Sequence, residues 1–445
     1  MNHLAPVAGK PARTRYTLRD YLNRRVLTML ALGFSSGLPF LLVANTFGYW
    51  LRDEKIALSA IGFLSWVGFA YTLKFFWAPV LDRLNAPAFG FLGLRRGWMA
   101  LMQVIIALGL IAMALTGTSH GLVKLGICAL VVAFASATQD TAIDAWRIES
   151  ARDFDELGLL TSGYTFGYRT ALLMSEAIIL PIAQRIGWNA SYILYGCIMG
   201  VGLAATFFAA EPLKADRVMT AKKAGEPLWT FRGMFDAVAG PFIVFFETHG
   251  AMALLMLLAI TLFELGYFVS GPMYNPMYVD VGLSKDMVGF SRGSFGLVGV
   301  FLGVAVGGYL PLRFGLTPAL LISGACLNIG TMLYAIVPYA HDPVTFSAIM
   351  FADNFGIAVA GINLIAYMSS LTSLGYTATQ YALLSSAYAL GGKFLKGFSG
   401  LIVEGLTPHV GLMNAYALFF IGCGVIGVPA LFLFAFLERQ KPVPG

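Results

Sequence analysis

Apolar residues along this 445-residue chain come in long runs, not in the two-residue alternation of strands or the narrow stripes of soluble helices. Twelve runs can be marked out: 24–50, 59–81, 98–117, 122–147, 158–183, 189–210, 250–279, 286–312, 316–338, 344–369, 376–405 and 411–437. Each is near or above the ~20 residues that a helix needs to cross a bilayer core. The pattern predicts an all-α polytopic membrane protein of 12 transmembrane helices. One long polar connection, 211–249, carries Lys214, Arg217, Lys222, Lys223 and Arg232 and separates the sixth run from the seventh. The expected organisation is therefore an N-terminal tail (1–23), a six-helix bundle (24–210), a linker (211–249), a second six-helix bundle (250–437) and a short tail (438–445). Within the linker, 231–246 is apolar but interrupted by Gly240 and Pro241, and reads as a helix lying along the membrane surface.

Composition strengthens this picture. Hydrophobic residues make up 58% and charged residues 12%, against about 25% charged in soluble domains, and mean hydropathy is +0.76. A water-soluble enzyme or binding module is excluded. The net charge of +6 is scattered over loops without a basic domain, so no nucleic-acid partner is expected. Nineteen Lys and Arg fall in the tails and the loops on their side, and four (Arg52, Lys55, Arg185, Lys285) on the other. That bias places both termini in the cytoplasm. The four cysteines lie inside apolar runs without CxxC spacing, and the five histidines lie in the tail or between runs. Neither set suggests a metal site, and no cofactor is expected beyond a proton gradient.

An ionisable side chain inside hydrocarbon costs at least ~2.5 kcal/mol and normally faces a cavity or a partner. Lys124 can snorkel to an interface, whereas Lys74, Arg169, Arg292, Lys393 and Lys396 need a reason. The end of the fourth run supplies one. Asp140, Asp144 and Arg147 share a helix face by their spacing, with Gln139 beside them as a candidate substrate contact. At ~1.5 Å per residue Asp140 lies ~9 Å from the middle of its run, within hydrocarbon, and Asp144 ~15 Å, at the interface. Lys74 and Arg169 are long enough to reach Asp140 if their helices adjoin. That trio is either a proton-coupling and substrate-contact device or a permanent ion pair between helices. Glu176, seven residues after Arg169, is a second coupling candidate, and Glu264 and Asp353 in the other half are two more. In the other half Glu264, Asp353, Asn354, Gln380, Lys393 and Lys396 lie in or near the middle of their runs. The two lysines share a face and suit an anionic group on a solute, unless Glu264 and Asp353 neutralise them as fixed pairs.

Helix breakers at Gly37 and Pro39 and at Gly271, Pro272, Asn275 and Pro276 occupy corresponding runs of the two halves, as bent cavity-lining helices would. Gly296, Gly299, Gly303 and Gly307 read as a close-packing stripe. Tyr49, Trp50, Trp77, Trp98 and Trp188 fall near run ends and suit interfacial belts. Tyr164, Tyr168 and Tyr388 could stack on sugar rings.

Two six-helix halves around a basic cytoplasmic loop resemble the major facilitator superfamily. Asp82 and Arg83 after the second run, with Arg95 and Arg96 before the third, resemble its gating loop motif at a stretched spacing; Asp144 and Arg147 would join that gate. The stretches GFSSGLP (33–39), IGFLSWVG (61–68), KFFWAPVLDR (74–83), RRGW (95–98), QDTAIDAW (139–146), GYR (167–169) and TQYALLSS (379–386) together resemble the AmpG muropeptide permease family. That resemblance implies a proton-coupled inner-membrane importer returning anhydromuropeptides from the periplasm for cell-wall recycling, thereby feeding β-lactamase induction. Tyr168, beside Arg169, would then be a substrate contact. Where the family usually has Lys-Leu-Gly-Asp, this chain has Glu264, Leu265, Gly266 and Tyr267, and it gains Lys393 and Lys396. Its second half thus presents different charges to a solute. A siderophore or an acetyl-CoA-like molecule is the alternative cargo, since those transporters are similar in the first half. An intramembrane enzyme is disfavoured by the lack of any His in a run, and a receptor by the lack of a cytoplasmic output domain. No feature calls for a dimer, and a monomer is expected.

Overall fold

In a computed structural model, described for residues 23–74, 77, 80–81, 84–119, 121–152, 154–212, 246–247, 250, 252–340, 342–371 and 389–439, all regular structure among those residues is helical. The first half comprises α1 (Arg24–Leu42, resumed as Asn45–Asp53), α2 (Leu58–Leu64 through Phe69–Leu73), α3 (Leu94–Thr116) and α4 (Leu122–Ser150). Then α5 (Phe154–Leu173) continues through a π turn, Met174–Ile178, and α6 ends as Gly200–Phe208. The second half comprises α7 (Met252–Val281), α8 (Lys285–Ser291, a π turn Arg292–Gly296, then Leu297–Phe314), α9 (Leu316–Leu333), α10 (Pro343–Ser370), α11 (described from 389, ending as Ser399–Val410) and α12 (Leu412–Arg439).

Nine apolar helices of membrane-crossing length lie among the described residues. One of them, Gly163–Phe208, has 46 residues, a straight length of ~69 Å at ~1.5 Å per residue, more than two hydrocarbon thicknesses. It turns back at Gly187, whose φ of 80° is left-handed, and so makes two passes, α5 and α6. The second and eleventh runs are described only in part. The surface helix expected at 231–246, Asp82, Arg83, Gln380 and Tyr388 lie outside the described residues.

Small residues set the closest crossings. A Cβ on Gly167 of α5 would collide with the Leu30 carbonyl of α1, and one on Gly37 would lie 2.6 Å from the Tyr168 carbonyl. The α8 stripe packs on α10: Cβ atoms on Gly299 and Gly303 would each lie 2.6 Å from a carbonyl, of Phe351 and Phe355. Where lipid tails give helices no hydrophobic reason to associate, such backbone approach supplies the dispersion contact.

Two expectations are corrected. The break in α1 falls at Val43 and Ala44, one turn after Pro39, and α7 runs unbroken through Pro272 and Pro276. A proline lacks an N–H, and neighbouring helices can support the helix through it. Tyr49, Trp50 and Trp188 are buried, not interfacial; Trp50 and Trp188 stack at 6.4 Å, with Tyr192 4.7 Å from Trp50.

Candidate functional site

The two ends of the bundle differ. At the end away from the termini, polar bonds join the halves. Arg52 grips Asp280 through two bonds of 2.7 Å, and Tyr416 donates to the same carboxylate at 2.7 Å. Lys285 reaches Asp53 at 2.6 Å, and Arg185 reaches Asp286 at 2.9 Å. Deeper, Glu176 and Arg292, each on its π turn, pair at 3.7 Å. Asn275 of α7 donates to the Asn45 carbonyl at the α1 break and accepts from Arg292. Trp66 of α2 donates to the Phe394 carbonyl of α11 at 3.0 Å, and Lys393 donates to Thr72 at 2.6 Å. Thr72 is 14 residues into α2, ~21 Å from that end and past mid-bilayer. These contacts between the halves, with Ser59 to Glu404 and Asp286 to Gln184, lie at this level or nearer the closed end.

Beneath this closure lies a cavity of about 220 Å³ between α1, α2, α7 and α11, with Asn45, Ser65, Tyr267, Tyr274, Lys393 and Lys396 in its wall. Ligand pockets are commonly about 300–1,000 Å³, so this is the apex of a solute path, not a whole site. A larger groove along α7 and α12 has an entirely apolar wall, including Leu258, Pro429 and Phe432, and suits acyl chains.

The lysines are not in fixed pairs. Among the described residues no carboxylate lies within ion-pair distance of Lys393 or Lys396, and Lys74 and Lys393 interact electrostatically with each other. The cavity wall therefore carries concentrated positive charge. Glu264 lies on the half-buried side of α7 and has a partner of its own.

Asp140 sits at the other edge of this basic field, under the electrostatic influence of Lys74. Ser36 of α1 donates to it, and the Tyr164 hydroxyl lies 2.9 Å from Ser36. Tyr164 stacks on Tyr168 at 5.8 Å, and the Arg147 guanidinium lies 5.0 Å over the Tyr164 ring. A polar chain thus runs from Asp140 through Ser36 and Tyr164 to Arg147, which pairs with Asp144 at 2.9 Å.

Several expected members are elsewhere. Gln139 is fully buried in the first half and donates to Ser35 at 3.1 Å, because one residue of helix turns it ~100° away from Asp140. Arg169 is exposed and makes no ion pair with Asp140. Glu176 leaves the Arg169 face because the π turn inserts an extra residue into the helical register. Asn354 bonds to the Met350 carbonyl at 2.8 Å and packs on Gly296, between α8 and α10. Arg95 and Arg96 bind within the first half: Arg95 pairs with Glu149 at 2.7 Å, and Arg96 donates to the Thr206 and Phe207 carbonyls. Glu211 accepts from the Arg95 and Arg96 N–H groups at 2.8 and 3.1 Å, capping α3; burial pushes its carboxyl up, against those two bonds. The closed-end partners Asp280 and Asp53, and Glu149 at the opposite end, were not singled out from sequence. Each lies in a different loop or helix end from its basic partner, so no linear signal pairs them.

Comparison with known proteins now bears on this architecture. The family model of the Major Facilitator Superfamily matches residues 26–395. The anhydromuropeptide permease of Escherichia coli K12 is 30% identical over 419 residues, 94% of this chain and 80% of that protein. The chain belongs to the AmpG permease family of the major facilitator superfamily. The putative transporter AmpG 4 of Rickettsia felis is 28% identical over 96% of this chain and 98% of that protein. Among solved structures, a mutant of the nucleoside transporter NupG shares the fold, with a TM-score of 0.67 at 16% identity over 94% of this chain and 99% of that one. This AmpG-family chain is therefore a multi-pass membrane transporter of a small solute and not an enzyme.

Proposed function

We propose that this protein imports anhydromuropeptides, GlcNAc-anhydroMurNAc peptides, from periplasm to cytoplasm across the bacterial inner membrane, driven by protons and by alternating access. The observation that carries the reading is a cavity apex walled by Lys393 and Lys396, which have no ion-pair partner among the described residues, with Lys74 and Asp140 beside it. Lys393, Lys396 and Lys74 suit the carboxylates of a peptide stem, and the tyrosines of the wall suit its sugars. In the oriented membrane the closed end faces the periplasm, so the conformation is the inward-facing one. Asp140 is the coupling carboxylate. A proton arriving there cancels its attraction for Lys74, freeing that cation for the solute, and the Ser36–Tyr164 chain connects the site toward the cytoplasmic end. Asp82, Arg83, Asp144 and Arg147 belong to the gate that closes in the opposite state.

Uptake of labelled anhydromuropeptide into energised membrane vesicles at low and high external pH tests the reading. Uptake should rise with the inward proton gradient, and Asp140→Asn should abolish that dependence. Strong uptake of a siderophore or an acetyl-CoA-like anion, with none of muropeptide, would overturn the cargo. Normal gradient-driven uptake by Asp140→Asn would return Asp140 to a structural role.

A further inference from the structure

We propose that Asp353, with Thr331, forms a buried monovalent-cation site in the second half, taking a proton or Na⁺, one residue layer behind the wall of the solute cavity. Asp353 of α10 is 4% exposed, and its Oδ1 has no hydrogen-bond partner. Thr331 of α9 is 1% exposed, and its Oγ1 faces the Tyr274 hydroxyl without a hydrogen bond of normal geometry. α9 and α10 are pressed together here, since a Cβ on Gly330 would lie 2.9 Å from the Asp353 Cα. Among the described residues, the titratable groups that face the carboxylate are tyrosines: Tyr267, Tyr274 and Tyr278 of α7, and Tyr334 at the end of α9. The Tyr334 hydroxyl approaches the carboxylate as a hydrogen-bond donor and also lies 3.6 Å from the Met350 sulfur, leaving Oδ1 without a partner. Arg292 across that layer is engaged by Glu176 and Asn275 and meets the cluster at the Tyr278 ring, 5.5 Å from its guanidinium.

Among the described residues no cationic side chain lies against this carboxylate, and a carboxylate so placed in hydrocarbon is held either protonated or beside a small cation. The chemistry favours a monovalent one: a single carboxylate surrounded by neutral oxygens is a poor divalent site, and the described residues hold no cluster of three metal-binding side chains. The position gives the site consequence. Tyr267 and Tyr274 face both Asp353 and the cavity. Tyr278 lies between Asp353 and Arg292, which helps to hold the closed end. Occupancy therefore biases both solute binding and closure. The inference does not depend on which solute is carried, and the site is separate from Asp140.

The test uses the full-length protein in liposomes on a solid-supported membrane, with no solute and in an Asp140→Asn background. A pH jump without Na⁺ and a Na⁺ jump at constant pH are applied, with protein-free liposomes as the blank. One of the two jumps should give a transient current, identifying the cation, and adding Asp353→Asn should reduce its amplitude at least tenfold. Absence of a current after both jumps, or an undiminished current in Asp353→Asn, overturns the proposal. If Asp353→Asn does not elute as a folded protein, Thr331→Val decides. Loss of its hydroxyl should shift the half-saturating cation concentration about tenfold, and an unshifted midpoint overturns the site.

Discussion

Replacing Asp280 with Asn tests whether the charged contacts hold the closed end shut. The Arg52 fork meets both carboxylate oxygens at 2.7 Å, and the two side chains are 17% and 12% exposed. Asn keeps one acceptor but turns an N–H₂ toward the guanidinium and removes the charge. Charge-assisted hydrogen bonds contribute ~1.5–3 kcal/mol, and partial exposure argues for the lower part of that range. A loss of ~2 kcal/mol shifts the closed-to-open ratio about thirtyfold. Spin labels on Glu54→Cys and His409→Cys, both exposed at that end on opposite halves, would report the separation by pulsed electron resonance, in a background with the four native cysteines replaced. The ratio of the long-distance to the short-distance population should rise about thirtyfold relative to the parent. Arg52→Ala should do the same, and the double variant should add little, since the two residues serve one interaction. An unchanged distance distribution in Asp280→Asn, or fully additive effects, refutes the latch.

Lys396→Met should raise the KM for an anionic solute about tenfold or more, the worth of one charge-assisted bond, in vesicle uptake; an unchanged KM would remove Lys396 from the solute path. Gly167→Ala forces a methyl against the Leu30 carbonyl and should cost ~1–3 kcal/mol of stability, read as a lower thermal midpoint in detergent, whereas Gly361→Ala, with open space around its Cβ position, should not. Asp342 accepts from the Thr345 and Val344 N–H groups at 3.0 and 3.1 Å, and its bonding with Thr345 holds its carboxyl below the ordinary 3.8. A depressed carboxyl stabilises the folded helix start above the ordinary value and loses that effect as pH falls through the folded one. Amide protection over 344–347 should therefore fall in strong acid in the wild type and be low at every pH in Asp342→Ala, as hydrogen exchange would show.

Sequence alone determined that the chain spans a bilayer many times and which family it belongs to. Those properties rest on run length, composition and linear motifs, none of which needs a partner in space. The short-range part of the site was also legible: Asp144 and Arg147 pair within one turn, and Lys393 and Lys396 share a wall. What only the tertiary structure decided is which side chains meet across helices. A 100° step sends Gln139 into the first half's interior while Asp140 meets Ser36. A π turn rotates Glu176 away from Arg169 and toward Arg292, a register change no periodic pattern announces. Arg52 and Asp280, 228 residues apart, counted separately as a loop cation and a helix-end acid. Their pairing depends on how the halves tilt against each other, and that geometry is set by glycine-spaced backbone contacts that a linear reading can mark but not orient.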